Sequence, residues 1–281
     1  MAAQFWFDGH WTEEAPRLIG PADHAMWQAS VIFDGARAIG GLTPDLDLHC
    51  QRAINSARSM GLTPGLAWEE IRRLAIEGIR RFPKDAVLYV KPVFYAAGGG
   101  IDLASTTTAF VLHLFEAPLP GLGGFSASLS PLRRPAPGMA PTDAKAACLY
   151  PNSARATAEA NARGFDAAVM RDPWDNIAEF AFANLWIVKN GVAITPTDNK
   201  TFLAGITRRR VMGLLREAGI EAREASLTVA DLTGADEMFS TGNYGKVVAC
   251  NRFEARELNA GPVFQEARRR YYAWAESTRV V

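Results

Sequence analysis

The first part of the chain alternates between segments with a strand-like period of hydrophobic residues and segments with a helical period. Apolar residues on either side of Asp8-Gly9 predict a tight hairpin, because this dipeptide accepts the backbone angles of a two-residue turn. Helices are predicted where apolar residues recur every three or four positions, and strands where Val, Leu, Phe and Tyr are concentrated. The predicted elements are a hairpin over 4–12, strands over 30–37, 86–95 and 107–116, and helices over 46–60 and 68–82. They predict an α+β unit with an antiparallel sheet.

A break in composition follows at Pro118-Leu-Pro-Gly-Leu-Gly-Gly124, where two prolines and three glycines fall close together. Such a segment is typical of a linker between domains. The sequence therefore predicts a smaller N-terminal domain over 1–117, a linker over 118–124 and a larger C-terminal domain over 125–281. The elements predicted in the larger domain are helices over 153–163, 207–218 and 261–276, strands over 166–171, 176–182 and 237–241, and a hairpin around Asn190-Gly191.

Charge and composition narrow the class of function. The 281 residues carry 30 basic and 30 acidic side chains, so no net charge favours nucleic acid or an acidic membrane surface. Three separated cysteines and four separated histidines form neither a disulfide framework nor a metal-binding pattern. The N-terminus lacks the pattern of a signal peptide, and no apolar run reaches the roughly 20 residues of a membrane span. We therefore expect a cytoplasmic globular protein that binds no metal.

A lysine in apolar surroundings is the first candidate for chemistry. Lys145 lies in the stretch Ala-Pro-Thr-Asp-Ala-Lys-Ala-Ala-Cys-Leu-Tyr, residues 140–150, although the chain has only six lysines beside twenty-four arginines. Desolvation lowers the pKa of an amine, and a neutral amine is a nucleophile that can condense with an aldehyde. Taken alone, such a stretch more often holds a lysine at a strand end whose amine reaches water.

Two turns of small residues are candidate anion sites. Leu203-Ala-Gly-Ile-Thr207 leads into a predicted helix, whose first N–H groups and partial positive charge suit a phosphate. The hydroxyl of Thr207 can supply a further donor. Ser240-Thr-Gly-Asn-Tyr244 follows a predicted strand and is a second turn of this kind. An ordinary helix start and an ordinary turn after a strand are the alternatives.

Two charged residues complete the candidate set. Glu179 lies in the apolar run Asn176-Ile-Ala-Glu-Phe-Ala-Phe-Ala-Asn-Leu185, where an acid is expected to have a partner. A buried carboxylate there could keep a neighbouring ring nitrogen protonated, or Glu179 could face water on an alternating strand. Arg52, on the first predicted helix, is either a surface arginine or a bidentate ligand for a phosphate.

The order and spacing of these residues resemble a known enzyme family. The pattern consists of Lys145, Tyr150, Glu179, Asn184-Leu185 and Gly205-Ile-Thr207-Arg. Spread over about residues 30–250, it resembles the fold-type IV pyridoxal-phosphate enzymes, and within them the branched-chain aminotransferase group. The resemblance implies an α+β and α/β fold of two domains, with pyridoxal 5'-phosphate between them.

On this resemblance, Lys145 is implied to be the catalytic lysine, which binds the cofactor covalently. Tyr150 is implied to hydrogen-bond the phenolic oxygen of the cofactor, and Glu179 to pair with its pyridine nitrogen. The other residues implied to bind the cofactor, chiefly around its phosphate, are Arg52, Asn184, Gly205, Ile206, Thr207, Gly242 and Asn243.

Two further motifs imply substrate contacts. Phe33-Asp-Gly-Ala-Arg37 resembles the family's Phe-Glu-Gly-x-Arg strand, and Tyr89-Val-Lys91-Pro92 resembles Tyr-x-Arg-Pro, whose arginine helps to recognise an acidic co-substrate. The implied substrate-binding residues are Arg37, Tyr89 and Lys91, with Trp27 expected at the same cavity. Because Lys91 replaces an arginine, we expect weaker recognition of 2-oxoglutarate.

A second departure from the family concerns the run after Glu179. Phe180 and Phe182 stand where the family has glycine-rich sequence. Aromatic side chains beside the cofactor would favour an apolar substrate group.

The implied function is transfer of an amino group from a hydrophobic amino acid to a 2-oxo acid such as 2-oxoglutarate, by a homodimer. Aminotransferases for D-amino acids or (R)-amines share the pattern, and aminodeoxychorismate lyases also share it. A binding protein that kept the fold but lost the chemistry is a fourth possibility. The joint presence of Lys145, Tyr150 and Glu179 argues against it.

Overall fold

The computed structural model describes residues 2–280, which form two compact units. Unit 1 comprises the residues up to Pro118, Ala144–Leu149 and the end of the chain from Ala275. Unit 2 comprises Leu119–Asp143 and Tyr150–Trp274. By its contacts, the short segment that contains Lys145 therefore belongs to unit 1. The predicted limits of the domains, at 118–124, stay a prediction.

Unit 1 is built on a six-stranded antiparallel sheet, as the hydrophobic pattern predicted. The strand order is β2-β1-β6-β5-β3, and β4 also pairs with β5. Its elements are β1 (Ala3–Phe7), β2 (His10–Thr12), α1 (His24–Gln28), β3 (Val31–Phe33), β4 (Ala36–Ile39), α2 (Leu46–Ser59), α3 (Trp68–Ile79), β5 (Val87–Ala97) and β6 (Thr107–Glu116).

The predicted hairpin of unit 1 is confirmed, and two other predicted elements of this unit have different limits. Asp8 and Gly9 both have positive φ, at 50° and 84°, which confirms the predicted hairpin. The strand predicted over 30–37 is two strands, β3 and β4, interrupted at the buried Asp34, whose carboxylate accepts from Arg52 and whose N–H donates to the carbonyl oxygen of Pro92 at 2.9 Å. Helix α3 ends at Ile79, three residues earlier than predicted.

The two faces of the unit 1 sheet differ in how deeply their side chains are buried. Alternate residues of β5, such as Leu88 and Val90, are buried in a core with α2 and α3. The residues between them, Tyr89 and Lys91, are half-buried on the other face. That face carries most of the predicted substrate residues.

Unit 2 contains a mixed sheet of nine strands. The order is β12-β11-β10-β13-β14-β7-β8-β9, and β15 pairs with β14. Its elements are β7 (Phe125–Arg133), α4 (Tyr150–Ala162), β8 (Ala167–Arg171), β9 (Ile177–Phe180), β10 (Asn184–Lys189), β11 (Val192–Pro196), α5 (Ile206–Glu217), β12 (Ala222–Ala225), α6 (Val229–Thr233), β13 (Glu237–Gly242), β14 (Lys246–Phe253), β15 (Arg256–Glu257) and α7 (Pro262–Ala275).

Helix α4 begins at Tyr150, three residues earlier than predicted, so this candidate cofactor ligand is the first residue of a helix. The hairpin at Asn190-Gly191 is confirmed by positive φ at both residues, 49° and 78°. Strands β7, β12, β14 and β15 were not predicted. Among residues 2–280, no helix is both long and apolar enough to cross a membrane.

Candidate active site

Lys145 is held in unit 1 by its own backbone. Its N–H donates to Ser56 Oγ at 3.0 Å, and its carbonyl oxygen accepts from the N–H of Phe33 at 3.1 Å. The neighbours Ala144 and Ala146 are buried in the unit 1 core. The Nζ atom lies 4.9 Å from the centre of the Phe33 ring. The side chain thus begins among buried apolar residues, and its amine faces an aromatic ring.

Arg52 pairs with Asp34, which is completely buried. Its Nε lies 2.6 Å from Asp34 Oδ2, its second nitrogen Nη2 lies 2.9 Å from Oδ1, and His49 Nδ1 lies 2.7 Å from Oδ1. Burial would raise the pKa of Asp34, but Arg52 and His49 lower it well below its usual range. The sequence analysis did not identify Asp34 as the partner of Arg52. The phosphate role of Arg52 stays a prediction.

Replacing Arg52 with alanine is expected to destabilise the apoprotein by about 3 kcal/mol, because it leaves the Asp34 charge buried without its main partner. Denaturant unfolding measures the loss. The double variant Arg52→Ala, Asp34→Asn is expected to recover part of it, since no buried charge remains. If Arg52→Ala instead weakened only cofactor affinity, with stability unchanged, the ion pair would have no structural role.

The stability that the Asp34–Arg52 pair contributes depends on pH. Because the pKa of Asp34 is lower in the folded protein than the ~3.9 of a free aspartate, the pair stabilises the fold fully above about pH 4. This contribution is lost as the pH falls further. In the Asp34→Asn variant, the free energy of unfolding should therefore depend less on pH in this acidic range.

The predicted substrate residues of unit 1 share one face of its sheet. Arg37 is fully buried, donates to the carbonyl oxygen of Ala117 at 2.5 Å and lies 5.3 Å from the Tyr89 ring. Tyr89 in turn stacks on Phe115. Arg37 therefore supports Tyr89, and any contact of its own with a substrate stays a prediction.

Trp27 lies on the short helix α1 and is exposed. Its indole N–H donates to the carbonyl oxygen of Pro21. Its predicted place at the substrate cavity stays a prediction.

Glu179 is buried in unit 2, with 6% of its surface exposed, so the alternative of a water-facing residue is wrong. Arg134 Nε lies 3.4 Å from one carboxylate oxygen, and Asn184 Nδ2 donates to the other at 3.2 Å. Arg134 is itself held by Ser153 Oγ and the carbonyl oxygen of Thr201. The positive charge of the arginine stabilises a negative charge on Glu179 in this environment. The sequence analysis missed Arg134, because nothing in the sequence near it marks a partner for Glu179.

The start of helix α5 adjoins the same network. Asn184 Nδ2 also donates to the carbonyl oxygen of Leu203, and a Cβ at Gly205 would lie 1.7 Å from Asn184 Oδ1. Only glycine fits there. Gly205 is the N-cap and provides no side-chain cap, so the first N–H groups of the helix, at Ile206 and Thr207, are suited to an external anion.

Gly242 and Asn243 lie at the end of β13. A Cβ on Gly242 would lie 3.2 Å from the Cβ of Ala183. Asn243 Oδ1 accepts from Lys246 Nζ at 2.9 Å, and Lys246 is buried with positive φ. The lysine thereby fixes the shape of this turn.

The aromatic residues after Glu179 point in different directions. Phe182 is exposed and stacks on Tyr150, with ring centres 5.9 Å apart. Phe180 is buried in the unit 2 core and meets Phe125 edge to face. The expectation that both phenylalanines line the pocket is therefore wrong for Phe180, because it belongs to β9 and faces the core.

These residues fit pyridoxal phosphate. In unit 2, Asn184 contacts both a buried carboxylate, Glu179, and an uncapped helix N-terminus at Gly205. A cofactor with a protonated ring nitrogen and a phosphate needs an acid and an anion seat of this kind. In unit 1, Lys145 lies in apolar surroundings, as a lysine that condenses with an aldehyde requires.

A model of the family described as amino-transferase class IV matches residues 31–253. The chain belongs to this family. It is 43% identical to an aminotransferase from Brucella abortus whose structure has pyridoxal phosphate bound, over 98% of this chain and 100% of that one, with a TM-score of 0.95. The predicted fold, enzyme class and cofactor are confirmed.

Two other structures of the family are branched-chain aminotransferases. One, from Thermoproteus uzoniensis with norvaline, is 28% identical over 99% of this chain and 96% of that one, with a TM-score of 0.93. The other, from Escherichia coli, is 26% identical over 97% of this chain and 94% of that one, with a TM-score of 0.89. They confirm the resemblance to the branched-chain group.

Proposed function

We propose that this class IV aminotransferase transfers an amino group from a hydrophobic, branched-chain type amino acid to a 2-oxo acid such as 2-oxoglutarate, as a cytoplasmic homodimer. The observation that supports the chemistry best is the buried Glu179, held by Arg134 and Asn184 beside the start of α5. When bound, pyridoxal phosphate supplies the electron sink that makes the substrate Cα proton removable.

The residues of this chain then have separable tasks. Lys145 removes the proton from the substrate Cα and returns it, because a neutral amine is a suitable base. Glu179 holds a proton at the ring nitrogen by its negative charge. In the bound state, Tyr150 would hydrogen-bond the phenolic oxygen of the cofactor, and the first N–H groups of α5 with Thr207 would hold its phosphate.

The proposed substrate class rests on two observations. The relative from Thermoproteus uzoniensis has norvaline, an unbranched apolar amino acid, in its structure. In this chain, Phe182 is exposed and its ring stacks on that of Tyr150. An aromatic surface of this kind favours an apolar side chain.

A donor screen tests the proposed function. The pyridoxal form is mixed with L-Leu, L-Val, D-Ala or (R)-1-phenylethylamine, and loss of the cofactor absorption band is followed. Bleaching by L-Leu and L-Val is expected. Bleaching by D-Ala or the (R)-amine alone would replace the proposal with the D-amino acid or (R)-amine alternative. Pyruvate release from aminodeoxychorismate would indicate the lyase.

Lys91→Arg is expected to lower the KM for 2-oxoglutarate severalfold and to leave the KM for L-Leu nearly unchanged. A guanidinium binds a carboxylate through two parallel N–H groups, whereas an ammonium is a point charge. Steady-state kinetics with each substrate varied in turn measures both values. If neither KM changes, Lys91 does not contact the acceptor. If aspartate or glutamate is by far the best donor of the wild-type enzyme, the apolar-pocket argument is wrong.

A further inference from the structure

Two of the six lysines face the same phenyl ring. Lys145 Nζ lies 4.9 Å from the centre of the Phe33 ring and Lys91 Nζ lies 5.2 Å from it. The two amines are therefore no more than about 10 Å apart, a range in which like charges inside a protein still repel measurably. Both residues belong to unit 1.

The backbone holds both lysines in place. Lys91 lies in the middle of β5, directly opposite His113 on β6. Lys145 is tied to β3 through Phe33 and to α2 through Ser56. These hydrogen bonds fix where each side chain begins, and from there both side chains reach the Phe33 ring.

The other ionisable groups around this face leave the repulsion in place. Burial and the Lys91 charge lower the pKa of His113 to about 4, so this ring is neutral at physiological pH. The carboxylate of Asp34 is shared between Arg52 and His49. The other ionisable groups on these elements and next to Lys145 in the sequence are Arg37 on β4, Asp47, Cys50 and Arg58 on α2, Tyr89 and Tyr95 on β5, Glu116 on β6, Asp143 and Cys148. Glu116 lies opposite Leu88, on the face of the sheet away from Lys91, and Asp47 and Asp143 are exposed. Tyrosine and cysteine side chains are uncharged in their ordinary protonated form and do not neutralise Lys91.

We propose that Lys91 is a positioning residue that acts through Lys145: its positive charge, held beside the same ring, keeps the Lys145 amine neutral. A neutral amine has the lone pair that a nucleophile or a base needs. The inference rests on the proposed role of Lys145, and it adds a task for Lys91 that is separate from binding an acceptor carboxylate.

The coupling has to act in both directions. Burial first, and the charge of Lys145 second, lower the pKa of Lys91. Because electrostatic coupling between two sites is reciprocal, the charge of Lys91 opposes protonation of Lys145 to the same extent. Arginine at position 91 would keep this charge, whereas methionine would keep the length of the side chain without it.

Competitive acetylation of the apoprotein tests the proposal without turnover. Acetic anhydride is applied over a pH series, and mass spectrometry of peptides follows the labelling of Lys145, with the exposed Lys84 as internal reference. Lys91→Met and Lys91→Gln should raise the midpoint pH of Lys145 labelling by about one unit, which is roughly a tenfold loss of reactivity near pH 7.5. Lys91→Arg should keep the wild-type midpoint.

Two results would overturn the proposal. One is an unchanged Lys145 midpoint in both neutral variants, shown by circular dichroism to be folded. The other is a shift in Lys91→Arg as large as in Lys91→Met, which would assign the effect to packing and not to charge. If reduction with borohydride placed the cofactor on a different lysine, the proposed function of Lys145 would fail. The acetylation profile would still report the coupling between the two amines.

Discussion

Replacing Lys145 with alanine is expected to reduce turnover by roughly 10⁴-fold, the upper end of the range for a catalytic acid or base. The variant loses the group that anchors the cofactor and the base that moves the substrate proton. Because Lys145 reaches its place through backbone contacts with Ser56 and Phe33, truncating the side chain leaves these hydrogen bonds intact. The fold should therefore survive, and the loss should be chemical.

Borohydride reduction of the wild-type holoenzyme followed by peptide mapping identifies directly which lysine binds the cofactor. The pyridoxyl group is expected on Lys145. Lys84→Ala is a matched control, because this lysine of unit 1 is exposed and should affect neither labelling nor turnover. A pyridoxyl group on Lys91 or on the buried Lys246 would contradict the assignment.

The sequence predicted the elements whose ends are marked locally. Asp8-Gly9 and Asn190-Gly191 turn the chain with positive φ in both residues of each pair, and such angles leave a clear preference in the sequence. Helix α2 was predicted for a similar reason, since Gly61 after it has φ of 75°. Local physics alone is enough for these parts of the fold.

The elements that were missed depend on distant partners. Strand β7 reads Phe-Ser-Ala-Ser-Leu-Ser-Pro-Leu-Arg, with serines and a proline that suggest irregular structure. It forms a strand because it pairs in parallel with β14 and β8. Strand β14 begins with Lys246, a residue whose burial cannot be inferred from its neighbours. Pairing energy from elsewhere in the chain overrides the local preference in both cases.

In the candidate site, as in the fold, the sequence marked local features and missed contacts between distant residues. The resemblance marked Lys145, Tyr150 and Glu179, because their spacing is a property of the chain itself. It did not reveal that Arg134 lies against Glu179 or that Asp34 binds Arg52, since the members of each pair are distant in sequence and meet only in the folded chain. Buried charges reveal their partners only in three dimensions, and these partners decide how each charge behaves.

Glu179→Gln is expected to keep the fold and bind the cofactor while losing roughly 10²–10³-fold in turnover, the range for removing one electrostatic contact at a reacting centre. Glutamine has the same shape, and its amide oxygen can still accept from Asn184 or Arg134. It has no negative charge, so it cannot hold a proton on the ring nitrogen, and Arg134 is left facing that position with its charge unbalanced. Both changes oppose the build-up of electrons in the ring during catalysis.

The measurement combines cofactor stoichiometry, thermal unfolding and single-turnover kinetics with L-Leu. Glu237→Gln is the matched control, since Glu237 is also a buried acid of unit 2 but accepts from the N–H groups of Val263 and Phe264 at the start of α7. That variant should lose stability and keep its rate per folded molecule, whereas Glu179→Gln should stay folded and lose rate per folded molecule. A Glu179→Gln enzyme with the wild-type rate would show that the carboxylate serves only to balance Arg134. The negative charge of Glu179 would then have only a structural role, and a different group would have to keep the ring nitrogen protonated.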